Sequence, residues 1–292
     1  FSQPARPKQG ISMKNILFIL SIFLCAEGFS QEAFAFFTQN GKRTSYRKLL
    51  RKSKKADIVL FGEYHNNPIA HWLEVKLTKD LLGKRSLILG AEMFERDNQD
   101  ALDGYLEGTI DQKGLDSLAR LWKNYKTDYK PWVDLAKREK LPIVATNIPR
   151  KYANLLYKKG LQALDTLPSA ERKWIVSLPF PYDGNLSQYE KMKKMARHNP
   201  ENLPMAQAIK DATMAESIET HYKKESLFLH LNGSYHSDFF QGIYWYLRKR
   251  NPNLKILTIS TLSQSNLKKL PTEAYGQADF ILVVDEDMTA SY

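Results

Sequence analysis

Apolar runs of strand length recur along the chain at 57–62 (DIVLFG), 86–93 (SLILGAEM), 142–147 (PIVATN), 226–233 (SLFLHLNG), 254–261 (LKILTIST) and 278–284 (ADFILVV). Their apolarity is continuous rather than alternating, the pattern of strands covered on both faces. Between the first two runs, the segment 68–82 opens with Asn67 as N-cap and Pro68 at the first helical position. Ile69, Trp72, Leu73, Leu77 and Leu81 then fall on one helical stripe. Strand, helix and strand make a βαβ unit. Its repetition predicts an α/β fold with a mainly parallel sheet flanked by helices.

The third and fourth runs lie much further apart than one crossover helix requires. Residues 152–159 can supply that helix. The following stretch, about 161–224, reads as helices interrupted by Pro168, Pro179, Pro181, Pro200 and Pro204, a smaller helical subdomain capping one end of the sheet. A shorter helical excursion occupies 98–130. No internal repeat or low-complexity tract interrupts the pattern.

The first thirty residues differ. Met13-Lys14 leads into ILFILSIFL, too short for a membrane anchor and suited to a signal-peptide core. Residues 1–30 are therefore read as upstream residues and signal peptide, and 31–292 as the exported domain, placed in the periplasm or at the outer-membrane surface. Two exits follow: cleavage near Gly28 or Ser30, or lipidation at Cys25, although Leu24 stands where a lipoprotein signal wants a small residue. Cys25 is the one cysteine, so no intrachain disulfide can form.

The formal charge of +11 favours acidic partners. The cations between Lys42 and Lys55 have the spacing of a solvated helix face with Tyr46, Leu49 and Leu50 inward, and export argues against a nucleic-acid partner.

Candidate chemistry gathers where the runs stop. Glu63, Tyr64 and His65 follow the first, Glu92 and Glu95 end the second, Asn147 and Arg150 follow the third, and Asn232, Tyr235 and His236 the fourth. In a parallel sheet all those ends share one edge, where ligands bind. Glu63, His65, Glu92 and His236 are ligand types for a divalent metal ion. HNNPIAH, however, is not the HExxH helix of a zincin, no GxSxG elbow is present, and FGEYHNN has one glycine where a dinucleotide loop needs three. The tyrosines offer a second chemistry, since a phenolate oxygen suits ferric haem iron.

FGEYHNNPIAH, GAEMFERDNQ, LPIVATNIPR, AQAIKDATMAESI and LNGSYH, in that order, resemble the ChaN-like haem-binding uptake family. That family belongs to a superfamily containing Tiki-type metalloproteases and is similar to erythromycin esterases. The resemblance implies an exported haem-binding protein of iron uptake, with haem held between two subunits. A tyrosine of one would ligate iron while a histidine and a lysine of the other meet the propionates, and haem would promote dimerisation. Tyr129, in DYKP, matches the tyrosine–proline block, with Tyr64 and Tyr235 as alternatives. His65, His71, His236, Lys130 and Arg150 are the candidates for the remaining haem contacts, with Trp72 and Trp132 covering the macrocycle. Partners would be haem, an outer-membrane haem receptor and a second copy of the chain. The proteolytic relatives imply an alternative, a metal-dependent hydrolase holding its ion with Glu63, His65 and His236 and using Glu92 as ligand or base.

Overall fold

A computed structural model describes residues 32–292; the leader and Cys25 lie outside the described residues. The strands are β1 (Phe34–Thr38), β2 (Arg43–Thr44), β3 (Ile58–Glu63), β4 (Leu87–Glu95), β5 (Ile143–Asn147), β6 (Leu227–Gly233), β7 (Ile256–Gln264) and β8 (Phe280–Asp285). They form one 8-stranded sheet in the order β2-β1-β8-β7-β3-β6-β4-β5. From β8 to β5 every pairing is parallel, and β1 joins β2 and β8 antiparallel. The fold is thus the mainly parallel α/β architecture that the continuous apolar runs require. The β1–β2 hairpin at the edge is an addition to that expectation.

The α-helices are α1 (Tyr46–Ser53), α2 (Pro68–Leu81), α3 (Gln99–Glu107), α4 (Gln112–Leu118), α5 (Lys130–Glu139), α6 (Arg150–Lys159), α7 (Ser169–Arg172), α8 (Ser187–Met195), α9 (Asn202–His221) and α10 (Ile243–Arg250). Along β3 alternate side chains leave on opposite faces. Val59 and Phe61 pack with Leu73 and Leu77 of α2 and Trp132 and Val133 of α5. Ile58 and Leu60 pack with Tyr152 of α6, Ile209 of α9 and Ile243 of α10. Burial on both sides is the physical reason the strands carry no polar alternation. Within the stretch expected as a helical insertion, α9 lies on this second face, with Ile209, Ala212, Ala215 and Ile218 buried. Among the described residues no helix is long and apolar enough to cross a membrane.

Two local features aim side chains at the C-terminal rim. Asn67 caps α2, its side chain accepting from Ala70 N–H at 2.9 Å, with Pro68 in the first turn; this sets the helix so that His71 and Glu74 are buried. The β4–β5 register shifts between Ala91 and Glu95, an irregularity that re-aims the strand where Glu92 sits.

Candidate functional site

Glu63 ends β3 directly beside Gly233, the last residue of β6. Its buried carboxylate is a hub. Oε1 accepts from the Tyr129 hydroxyl at 2.7 Å and lies 2.7 Å from His65 Nδ1. Oε2 is 2.9 Å from His71 Nδ1. His71 Nδ1 is also 3.3 Å from Glu74 Oε2, and its Nε2 lies 3.2 Å from the His65 carbonyl. Asn124 donates to that carbonyl at 2.8 Å and to Asp128 at 2.7 Å. The Ser291 hydroxyl donates to the same Asp128 at 2.7 Å, tying the segment after β8 to this rim.

Burial alone would push the Glu63 carboxyl up, but His65 and His71 outweigh it and hold it at about 2. For His71, burial opposes the charge, yet Glu63 and Glu74 raise it to about 11. Glu74 goes the other way, pushed well above the carboxylate range by burial and by the Glu63 charge. Burial and the Glu63 charge likewise drive the Tyr129 phenol far up.

A second cluster stands on the neighbouring strands. Glu92 Oε2 accepts from Gly233 N–H at 2.7 Å, and its Oε1 is 3.2 Å from His236 Nε2. His236 Nδ1 lies 2.5 Å from Asp211 Oδ1, and Tyr189 donates to Asp211 Oδ2 at 2.7 Å. Asn147 donates to the Glu92 carbonyl at 3.0 Å. Burial disfavours the His236 charge, but the two flanking carboxylates raise it to about 10. The clusters meet at His65: a Cβ on Gly233 would fall 2.7 Å from His65 Nε2 and 3.5 Å from Glu92 Oε2. Gly233 has φ −56 and ψ 138, so it is required here for space rather than for backbone conformation.

Glu63, Glu92, Asn147, His65 and His236 thus share one rim, as the parallel sheet demands. The expected ligand set Glu63, His65 and His236 does not converge on one point, because His236 is engaged between Glu92 and Asp211 and His65 leans on Glu63. Two of the three candidate tyrosines, Tyr129 and Tyr235, donate hydrogen bonds to the chain. Tyr129 is 1% exposed, and Tyr235 donates to the Gln188 carbonyl at 2.6 Å. Tyr64 is half-buried near Asp238, which with burial raises its phenol. Lys130 pairs with Asp134 at 2.6 Å and Tyr105 at 3.3 Å. Trp132 cannot cover a macrocycle: it is a core residue, its indole N–H donating to Thr78 Oγ1 at 2.9 Å. Trp72 is half-exposed and packs on Phe34, 5.9 Å between ring centroids.

Trp122, a residue the pattern did not single out, is the aromatic group at the rim. It meets His65 edge to face at 4.7 Å and Tyr129 at 6.0 Å. It also lines a cleft of about 510 Å³ together with Leu121, Arg120, Lys123, Arg150 and Tyr292. Arg120 is paired with Glu95 and Asp97, whereas no ion pair among the described residues engages Lys123 or Arg150. Asp211 lies within AQAIKDATMAESI, and only the packing of α9 against β5 and α10 brings it to His236.

Among solved structures, the chain is similar to the ChaN of Campylobacter jejuni, described by its cofacial haem binding, with a TM-score of 0.63 and 20% identity over 86% of this chain and 96% of that one. It is also similar to a succinoglycan biosynthesis protein (TM-score 0.51, 9% identity, 82% and 90% coverage) and to a Bacillus cereus protein (TM-score 0.51, 10% identity, 94% and 98% coverage). These likenesses establish the fold. No curated protein sequence matches the chain. The model of the family described as "Haem-binding uptake, Tiki superfamily, ChaN" matches residues 49–247, and the chain belongs to that family.

Proposed function

We propose that this protein binds haem at the C-terminal rim of its sheet for uptake of haem iron, and that it does so outside the cytoplasm. The observation that carries the reading is the cleft walled by Trp122 and Leu121, with Lys123 and Arg150 as its cations. An apolar aromatic wall beside two positive charges suits a flat macrocycle bearing two propionates. Bound there, haem supplies the iron to be carried. The chain's own part is to hold the propionates with Lys123 and Arg150 and to offer iron a phenolate oxygen from Tyr129, which touches Trp122 from the inner side. The Tyr129 hydroxyl donates to Glu63 at 2.7 Å, and its proton would leave to solvent as iron takes the oxygen. His71, His236 and Lys130 are held by carboxylates of the chain, so in this reading the propionates fall to the two cations of the cleft. Pairing of two copies would cover the half-buried aromatic wall.

Titrating hemin into the purified protein tests the reading. Saturable binding with a high-spin, tyrosinate-type spectrum is expected, lost in Y129F and weakened about tenfold or more by the double change K123Q/R150Q. A spectrum that survives Y129F removes Tyr129 as ligand; absence of saturable hemin binding removes the function. Sedimentation with and without hemin tests pairing, and fractionation of the producing cells tests export.

A second reading, a metal-dependent hydrolase, is favoured by one observation: the Glu63–His65 and Glu92–His236 pairs meet over Gly233. Hydrolysis of ester or peptide substrates that a chelator abolishes would support it, and activity surviving in metal-free protein would end it.

A further inference from the structure

We infer that Glu63, His71 and Glu74 form a binding site for one divalent transition-metal ion, beneath His65 and separate from the Glu92–His236 pair. One ligand atom from each of the three residues can be chosen so that all lie within 4.8 Å of one another, and all three residues are buried. The placement follows from the chain: Glu63 closes β3, the Asn67 cap starts α2, and His71 and Glu74, three apart on that helix, face the strand end together.

The independent sign of a ligand is the pair of oxygens left without donors. Glu63 Oε2 and Glu74 Oε1 are closed off from water and accept no hydrogen bond. Glu63 Oε2 approaches His71 Nδ1 to 2.9 Å without the geometry of a hydrogen bond. Buried carboxylate oxygens are rarely left so, because each orphan carries its full desolvation cost.

His71 is oriented as metal-bound histidines are. Its Nε2 faces the His65 carbonyl at 3.2 Å, an acceptor only, so that nitrogen carries hydrogen. Nδ1 is left facing two carboxylates, and something positive must sit between them. A proton on Nδ1 can serve one oxygen at a time, whereas a metal ion takes the nitrogen and an oxygen of each carboxylate together. One imidazole and two carboxylates suit zinc, manganese or ferrous iron. As the ion binds, the proton that Nδ1 otherwise holds toward the carboxylates leaves to solvent, and metal–nitrogen and metal–oxygen bonds take its place. His65, its side chain 32% exposed, is a partly solvent-exposed neighbour of this site, 2.7 Å from Glu63 Oε1. The inference does not depend on haem binding, which the hemin titration decides separately.

The test is a titration of the chelator-treated full chain with Co²⁺ and Zn²⁺. Expected are visible d–d absorption saturating at one Co²⁺ per chain, proton release on binding, and at least tenfold weaker binding in E74Q but not in E92Q. Should E74Q fail to fold, the wild-type protein decides through its ring nitrogen resonances, because Zn²⁺ must shift those of His71 and leave those of His236 in place. No binding at millimolar metal, binding that E92Q abolishes and E74Q spares, or a shift confined to His236 would each overturn the assignment.

Discussion

Replacing Gly233 with alanine probes the joint between the two clusters without removing any polar group. The backbone there accepts an alanine, but the added methyl would lie 2.7 Å from His65 Nε2 and 2.9 Å from its Cε1. The strand below cannot yield, since Gly233 is paired to Glu63 within the parallel ladder. His65 can, because its ring is partly exposed, so the expected response is rotation of the imidazole away from Glu63. That sacrifices a 2.7 Å contact to an ionised carboxylate, about 1.5–3 kcal/mol for a bond of this kind. Residual crowding against Glu92 adds to it, so the net loss should be about 2–3 kcal/mol, within the usual range for overpacking. Urea unfolding measures the stability. The Cε1–H proton resonance of His65 measures its pKa, now raised because Glu63 and Glu92 outweigh burial; in G233A it should fall toward the ordinary imidazole range. Unchanged His65 titration with a stability loss below about 0.5 kcal/mol would refute the packing of His65 on Gly233.

Changing His236 to Asn leaves Glu92 and Asp211 facing each other without a cation and should cost about 3–5 kcal/mol in urea unfolding; a loss under about 1 kcal/mol would show that the three groups do not act as a charged triad. The same histidine sets an alkaline slope. Its folded pKa of about 10 exceeds the ordinary imidazole value of 6.5, so its contribution is complete below pH 6.5 and disappears as pH rises through 10, and H236N should flatten the stability curve there. Asp238, buried against Ser260 and Gln277, has the opposite character among acids, because burial raises it from 3.8 to about 7. The folded state then binds the proton more tightly than the unfolded chain. Stability should fall as pH climbs from 3.8 to 7, and a slope that persists in D238N would locate the titrating group elsewhere.

The amino-acid sequence by itself determined the central sheet and the composition of its rim. Runs such as DIVLFG and SLFLHLNG are apolar at every position because both faces of those strands are covered, and a parallel sheet must bring Glu63, Glu92, Asn147 and His236 to one edge. The Asn67–Pro68 start of α2 was legible for the same reason, being a local signal with a local cause. Which rim residues pair was decided only by the tertiary structure. Asp211 reaches His236 from a helix in the long connection before β6, and Tyr129 turns inward to Glu63 from the far end of another excursion. Glu74 reads along the chain as one more polar position on an amphipathic helix, and becomes a buried ligand candidate only once α2 lies against the end of β3. Periodicity reports which face an element buries, but partners distant along the chain, and the angle at which two elements cross, are fixed by packing, and at this rim packing determines which groups are charged.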